Sequence, residues 1–143
     1  MRIEHKTVTI DAVVWQPPHG AQHQQLVDEL VESMRARGWV GRPIPISCPS
    51  GELDAQSWAW TGSHRAEAVR RLIEERGCVE VDLLMLIAED QRDRVELEMA
   101  RCGARSEHSR RLEAKMLADV YPCCQALVEA LEEEHAAFEA RYG

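Results

Sequence analysis

The residues best suited to chemistry stand in one run, Trp60-Thr61-Gly62-Ser63-His64-Arg65-Ala66-Glu67-Ala68. The run reads as a strand end, a glycine turn and a helix start. The first backbone N–H groups of a helix have no partner within it, and the helix dipole adds about half a positive charge there. Gly62 lets a ligand approach the backbone closely. Arg65 carries a fork of donors that fits a phosphate or a carboxylate. A first turn normally holds acids, so His64 and Arg65 at this place oppose the dipole unless an anion is bound. The chemistry expected is therefore phosphate binding by Gly62, Ser63, His64 and Arg65. The plainer alternative is an ordinary N-cap at Ser63 followed by a solvated turn.

A second run, Gly38-Trp39-Val40-Gly41-Arg42-Pro43-Ile44, brackets a tryptophan with two glycines. It reads either as a ligand-facing loop, with Arg42 as a second phosphate contact, or as a helix C-cap with a packed aromatic. His19 and His23 have the i, i+4 spacing of a helical metal pair, but no third acidic ligand lies nearby, so no metal site is assigned. Arg110 and Arg111 open a later helix, where they either reach the phosphate cleft or face solvent.

The elements that must position these groups follow from periodicity. Residues 7–15 are rich in β-branched and apolar side chains and predict a first strand. A helix is expected over 21–37, with Leu26, Val27, Leu30, Val31 and Met34 on one stripe and Gly38 as its stop. Residues 43–47 form a short strand that Pro43 and Pro45 place at an edge or bulge. Residues 57–61 form a third strand, on which Trp58 and Trp60 share one side. A helix over 63–76 turns Ala66, Val69, Leu72 and Ile73 inward. Residues 79–87 form a strand whose later half suits cover on both faces. Helices follow over about 90–101, 106–120 and 123–141. The fold class is α+β: a small mixed β-sheet in the order β-α-β-β-α-β, followed by about three C-terminal helices. Residues 1–90 are expected to form the core, with 91–143 as an acidic helical part packed on it in a single domain.

Composition narrows the function classes. The 143 residues are 45% hydrophobic and 29% charged, an ordinary globular mixture. No apolar run reaches the roughly 18 residues that span a bilayer, and the opening Met-Arg-Ile-Glu-His-Lys lacks an apolar signal core. A cytoplasmic protein without a membrane partner is expected. The net charge is −8. Residues 1–72 hold eight basic and eight acidic side chains, whereas 73–143 hold nine and seventeen. The second half would repel phosphate, which disfavours DNA coating. Cys48, Cys78, Cys102, Cys123 and Cys124 contain no C-x-x-C pair and are expected to be free thiols.

On these residues the chain resembles the ParB/sulfiredoxin superfamily domain. Three parts match in order: the first strand ending near Trp15, the stretch over 31–44, and the box Thr61-Gly62-Ser63-His64-Arg65. The middle stretch is similar to the family's L-x-x-S-I-x-x-x-G-x-x-x-P-I. The box is similar to its G-x-R-R or G-x-H-R. The resemblance implies a nucleoside triphosphate, ATP or CTP, bound with Mg²⁺ at Gly62, Ser63, His64 and Arg65, with Arg42 assisting. It implies His64 as the catalytic group in NTP hydrolysis or phosphoryl transfer. Sulfiredoxins carry a nucleophilic cysteine where Ser63 stands, and a serine hydroxyl cannot do that redox chemistry. Partition ParB proteins carry Glu and Arg where Ser63 and His64 stand, and no DNA-reading helix is evident. Free-serine kinases of the superfamily need a carboxylate base, for which Glu29, Glu32 and Glu67 are candidates. The alternative to nucleotide chemistry is a non-catalytic module for regulation or DNA transactions. It would dock a partner protein or a second copy through the Leu127/Leu131/Phe138 stripe of the C-terminal helices, a stripe whose plainer reading is packing on the domain core.

Overall fold

The computed structural model describes residues 1–18 and 23–143. Its order is β1 (Arg2–Ile10), α1 (Gln24–Arg37), β2 (Ile44–Ser47), β3 (Trp58–Ala59), α2 (Ser63–Arg76) and β4 (Val79–Ile87), then α3 (Gln91–Gly103), α4 (Glu107–Val120), a 3₁₀ turn (Pro122–Cys124) and α5 (Gln125–Tyr142). The four strands form one mixed sheet in the order β1-β4-β2-β3. This is the α+β class expected, a small mixed sheet with helices after it.

β4 organises the sheet. It pairs antiparallel with β1 from Arg2↔Ile87 to Ile10↔Val79 and parallel with β2 from Ile44↔Leu83 to Ser47↔Leu86. Its odd-numbered residues Val81, Leu83 and Met85 face one apolar cluster, while Leu86 faces another. The first cluster is closed by α1 and α2 through Val27, Val31, Met34, Ala66, Val69 and Leu72. The second is closed by α3, α4 and α5 through Leu97, Ala100, Ala114, Leu117, Leu127 and Leu131. The sheet is thus the middle of three layers, and β4's late apolar run is covered on both faces as its sequence requires. Trp58 and Trp60 do share one side: their rings lie 4.4 Å apart in the second cluster. Buried Trp60 donates its Nε1–H to Ser47 Oγ at 2.9 Å.

Three expectations are corrected. The first strand spans Arg2–Ile10, not 7–15. Residues 2–6 are mostly charged or polar and give little apolar signal, and the nine-residue ladder with β4 holds them extended. Beyond it the chain crosses to the opposite edge of the sheet, where Gln16 bridges Trp58 and Trp15 enters the core. The run 7–15 therefore merges a strand end with a crossing. Second, β2 is an inner strand between β4 and β3. Pro45 lies in its middle, and its carbonyl accepts the Trp60 N–H at 3.0 Å. With no N–H to return that bond, proline ends the ladder on the β3 side, so β3 holds only two residues while the β4 side stays intact. Third, the Leu127/Leu131/Phe138 stripe does not form an outer face. Leu127 and Leu131 are buried against the sheet, and Phe138 is half-buried.

No helix among the described residues is long and apolar enough to cross a membrane.

Candidate functional site

α2 begins as read from the sequence, at Ser63 behind Gly62. Gly62 has φ 91° and ψ 28°, the left-handed region. A Cβ built on it would lie 3.2 Å from Ile44 Cγ1. Glycine is thus required both by the backbone angle and by the close approach of β2. The helix has no side-chain cap hydrogen bond and no acid in its first turn, so its own sequence does not offset the positive end of its dipole.

That end opens into a cleft of about 340 Å³. Gly62, Ser63 and His64 form one wall, and the first turn of α4 forms another through Glu107, Arg110 and Arg111. α5 supplies the third through Leu131, Glu134 and Phe138. Two helix N-termini therefore meet in one cavity. Arg110 is half-buried there and has no side-chain hydrogen bond or ion pair among the described residues. Burial pulls its pKa down, and Glu107 opposes that in part. Arg111 is held by a two-pronged contact to Glu132, at 3.0 and 2.7 Å.

His64 faces the cleft, but its ring also has a structural partner. Its Nε2 accepts the backbone N–H of His23 at 3.2 Å. His23 is the N-cap of α1 and offers no side-chain cap of its own. His64 thus caps α1 from another helix. An accepting Nε2 is unprotonated, and burial together with nearby His23 holds the imidazole below its ordinary pKa. The neutral ring sits in an aromatic group: His23 lies 5.9 Å from it and Phe138 6.2 Å, and His23 stacks on Tyr142 at 4.7 Å.

Arg65 and Arg42 do not join this cleft. Arg65 is only 8% exposed. Its Nη1 donates to the Arg42 carbonyl and, at 3.5 Å, to that of Val40. Its guanidinium lies 5.1 Å from the Trp39 ring centre, a cation–π stack. Burial draws its pKa down, and Glu134 offsets part of that. Gly41, at φ +82°, lets the loop wrap the guanidinium: a Cβ there would lie 3.3 Å from Arg65 Nη1. The run from Gly38 is therefore a helix C-cap with a packed aromatic, the Gly38 N–H bonding to Met34 O at 2.9 Å. Arg42 is exposed, pairs with Glu133 and lines a different cavity.

The candidate bases are engaged elsewhere. Glu29 pairs with Arg141, Glu32 with Arg35 and Glu67 with Arg70, and none of the three lines the cleft. His19 lies outside the described residues, and no group of three potential metal ligands exists among the described ones. Of the arginines weighed at the later helix start, both reach the cleft. Sequence reading did not place Glu107 or Glu134 at this site, and it read Phe138 as part of an apolar stripe rather than as a cleft wall; the linear order leaves all three far from Gly62.

No protein-family model matches the chain, and no curated protein matches it. Among solved structures it is similar to the C-terminally truncated chromosome-partitioning protein ParB from Caulobacter crescentus complexed with CTP-gamma-S. The identity is 18%, the match covers 83% of this chain, and the TM-score is 0.40. The likeness is weak and is one of fold. The match spans 65% of the ParB chain, less than two thirds of it.

Proposed function

We propose that this chain binds a nucleotide, with its phosphates seated in the cleft between α2 and α4. The observation that carries this reading is the unpartnered, half-buried Arg110 beside the uncapped N-terminus of α2. A guanidinium and helix-terminal N–H groups converging on one cavity form the donor set of a phosphate site. The cavity volume falls in the range of small-molecule sites. Glu107 and Glu134 on the same walls would repel bare phosphates. A phosphate-bound Mg²⁺ removes that repulsion, because Mg²⁺ uses one or two carboxylates together with phosphates and water. In this reading Gly62 and Ser63 approach the phosphates through the backbone. His64 holds α1 at the mouth of the cleft. Arg65 and Arg42 build the loop behind it.

The test is thermal melting with ATP, ADP, CTP and GTP, with and without Mg²⁺, for wild type and Arg110→Ala. A ligand at a hundred times its Kd stabilises by about 2.7 kcal/mol. The expected result is a shift with at least one nucleotide that is lost in Arg110→Ala. No shift with any of them, or an equal shift in the variant, would refute the site.

A second reading, a docking module, is favoured by a different observation. Val95 and Met99 of α3 and Leu112, Met116 and Val120 of α4 are exposed, Met99 and Met116 by 63% and 61%. Their i, i+4 spacing aligns them on the faces turned away from the sheet. Size-exclusion with light scattering tests it. Self-association that Met116→Lys abolishes supports a second copy as the partner; a monomer at all concentrations removes that form of the reading.

A further inference from the structure

Arg65 stands at the floor of a second cavity, of about 460 Å³, between α1, the 38–43 loop and α5. Ala130, Glu133 and Ala137 face this groove, whereas Leu131, His135 and Phe138 face the cleft. These are two different stripes of α5, and Glu134 lies between them and lines both cavities. The groove's apolar walls are Leu30, Val40, Ala130 and Ala137. Its charged groups are three guanidiniums, Arg37, Arg42 and Arg65, and two carboxylates, Glu133 and Glu134.

The carboxylates do not balance the cations. Glu133 pairs with Arg42. Glu134 stands 3.6 Å from Arg65 Nη2, an ion pair too long for a hydrogen bond. Arg37 donates to Ser33 Oγ at 3.2 Å and has no carboxylate partner among the described residues. The groove thus carries one uncompensated positive charge at its rim and one poorly paired, nine-tenths-buried guanidinium at its floor.

We propose that this groove binds a small amphipathic carboxylate. Its apolar body lies along Leu30, Val40, Ala130 and Ala137, and its head group takes the place of Glu134 beside Arg65. An apolar cavity of this size with a few converging polar groups is the usual form of a small-molecule site. The groove's lining carries three guanidiniums and two carboxylates, so one negative charge neutralises it. A head group free to approach Arg65 makes the hydrogen bonds that Glu134, fixed on its helix, does not. A phosphate dianion fits less well, because Glu133 and Glu134 remain nearby.

The experiment titrates the ¹⁵N-labelled full chain with 4-phenylbutanoate, using 4-phenylbutan-1-ol and propanoate as controls. Saturable amide shifts are expected at Val40, Gly41, Ala130 and Ala137, and not at Gly62 or Ser63. The alcohol lacks the head group and propanoate lacks the body, so neither should saturate. Arg37→Ala should weaken binding about tenfold. Glu134→Gln removes the competing carboxylate and should tighten it several-fold. Ala137→Trp, at an exposed position, should abolish it while melting stays unchanged. Shifts centred on Gly62–His64, shifts without saturation, or an Arg37→Ala variant of unchanged affinity would each overturn the proposal.

Discussion

Replacing Arg65 by methionine measures how much its guanidinium holds the 38–43 loop when no ligand is present. Methionine keeps most of the apolar stem but removes the guanidinium. The structure gives the losses. The bond to the Arg42 carbonyl is charge-assisted, and such bonds contribute about 1.5–3 kcal/mol each. The bond to Val40 O, at 3.5 Å, adds little. The stack on Trp39 adds about 1 kcal/mol in a largely desolvated setting. Relief of the guanidinium's desolvation returns part of this. The net expectation is about 1–3 kcal/mol of lost stability, without any ligand present. With a urea slope of about 2 kcal/mol/M, the unfolding midpoint falls by about 0.5–1.5 M. Urea unfolding followed by tryptophan fluorescence measures it, with Arg42→Met as the control. Arg42 is exposed and its ion pair with Glu133 lies in solvent, so that change should stay within about 0.5 kcal/mol. If Arg65→Met unfolds at the wild-type midpoint, the guanidinium does not hold the loop.

Stability should also depend on His64. Folding lowers its pKa from 6.5, so in the interval below that value the unfolded chain binds more protons than the folded one. The contribution is complete above about pH 6.5 and declines as pH falls toward the folded value. His64→Asn keeps an acceptor that does not titrate, and its urea midpoint should fall less than the wild type's between about pH 7.5 and about pH 5.5; parallel falls would contradict the cap. Gly62→Ala should cost about 1–3 kcal/mol, because alanine must adopt φ 91° with its Cβ against Ile44; an unchanged melting temperature would mean the turn relaxes freely. Thiol titration should find Cys78, Cys102 and Cys123 reactive in the folded chain. Burial pushes the Cys48 thiol up to about 11 and Cys124 to about 12, so both should react only in denaturant.

Much of the fold was legible where local signals agree. The helix over 63–76 and the strand over 79–87 appear at the residues read from sequence, because Gly62 and Gly77 bracket one and apolar alternation runs through the other. Local signals fail where a distant partner decides. The first half of β1 is mostly charged and polar, so only residues 7–10 were legible, and the full strand is set by pairing with residues 79–87. Pro45 announces a broken ladder, but not that only one side breaks. The cleft was legible at Gly62, Ser63 and His64, which share a turn. The roles of Arg65 and Arg42 were not, because the groups that engage them come from the 38–43 loop and from α5. An arginine in a first turn looks like an anion ligand until the carbonyls that surround it are known.

The strand order has a consequence for biosynthesis. β1 is made early, yet among the described residues its ladder is with β4, which ends at Ile87. β2 likewise pairs in parallel with β4. At ribosomal rates of about 5–20 residues per second, residues 2–10 wait about 4–15 s for their partner to be made. During that interval residues 2–10 are without the strand they pair with in the fold. Arg2, Glu4 and Lys6 alternate charge along this segment, and such charges discourage pairing with the wrong strand. The charged residues that hid the start of β1 from sequence reading thus guard it while its partner is still being translated.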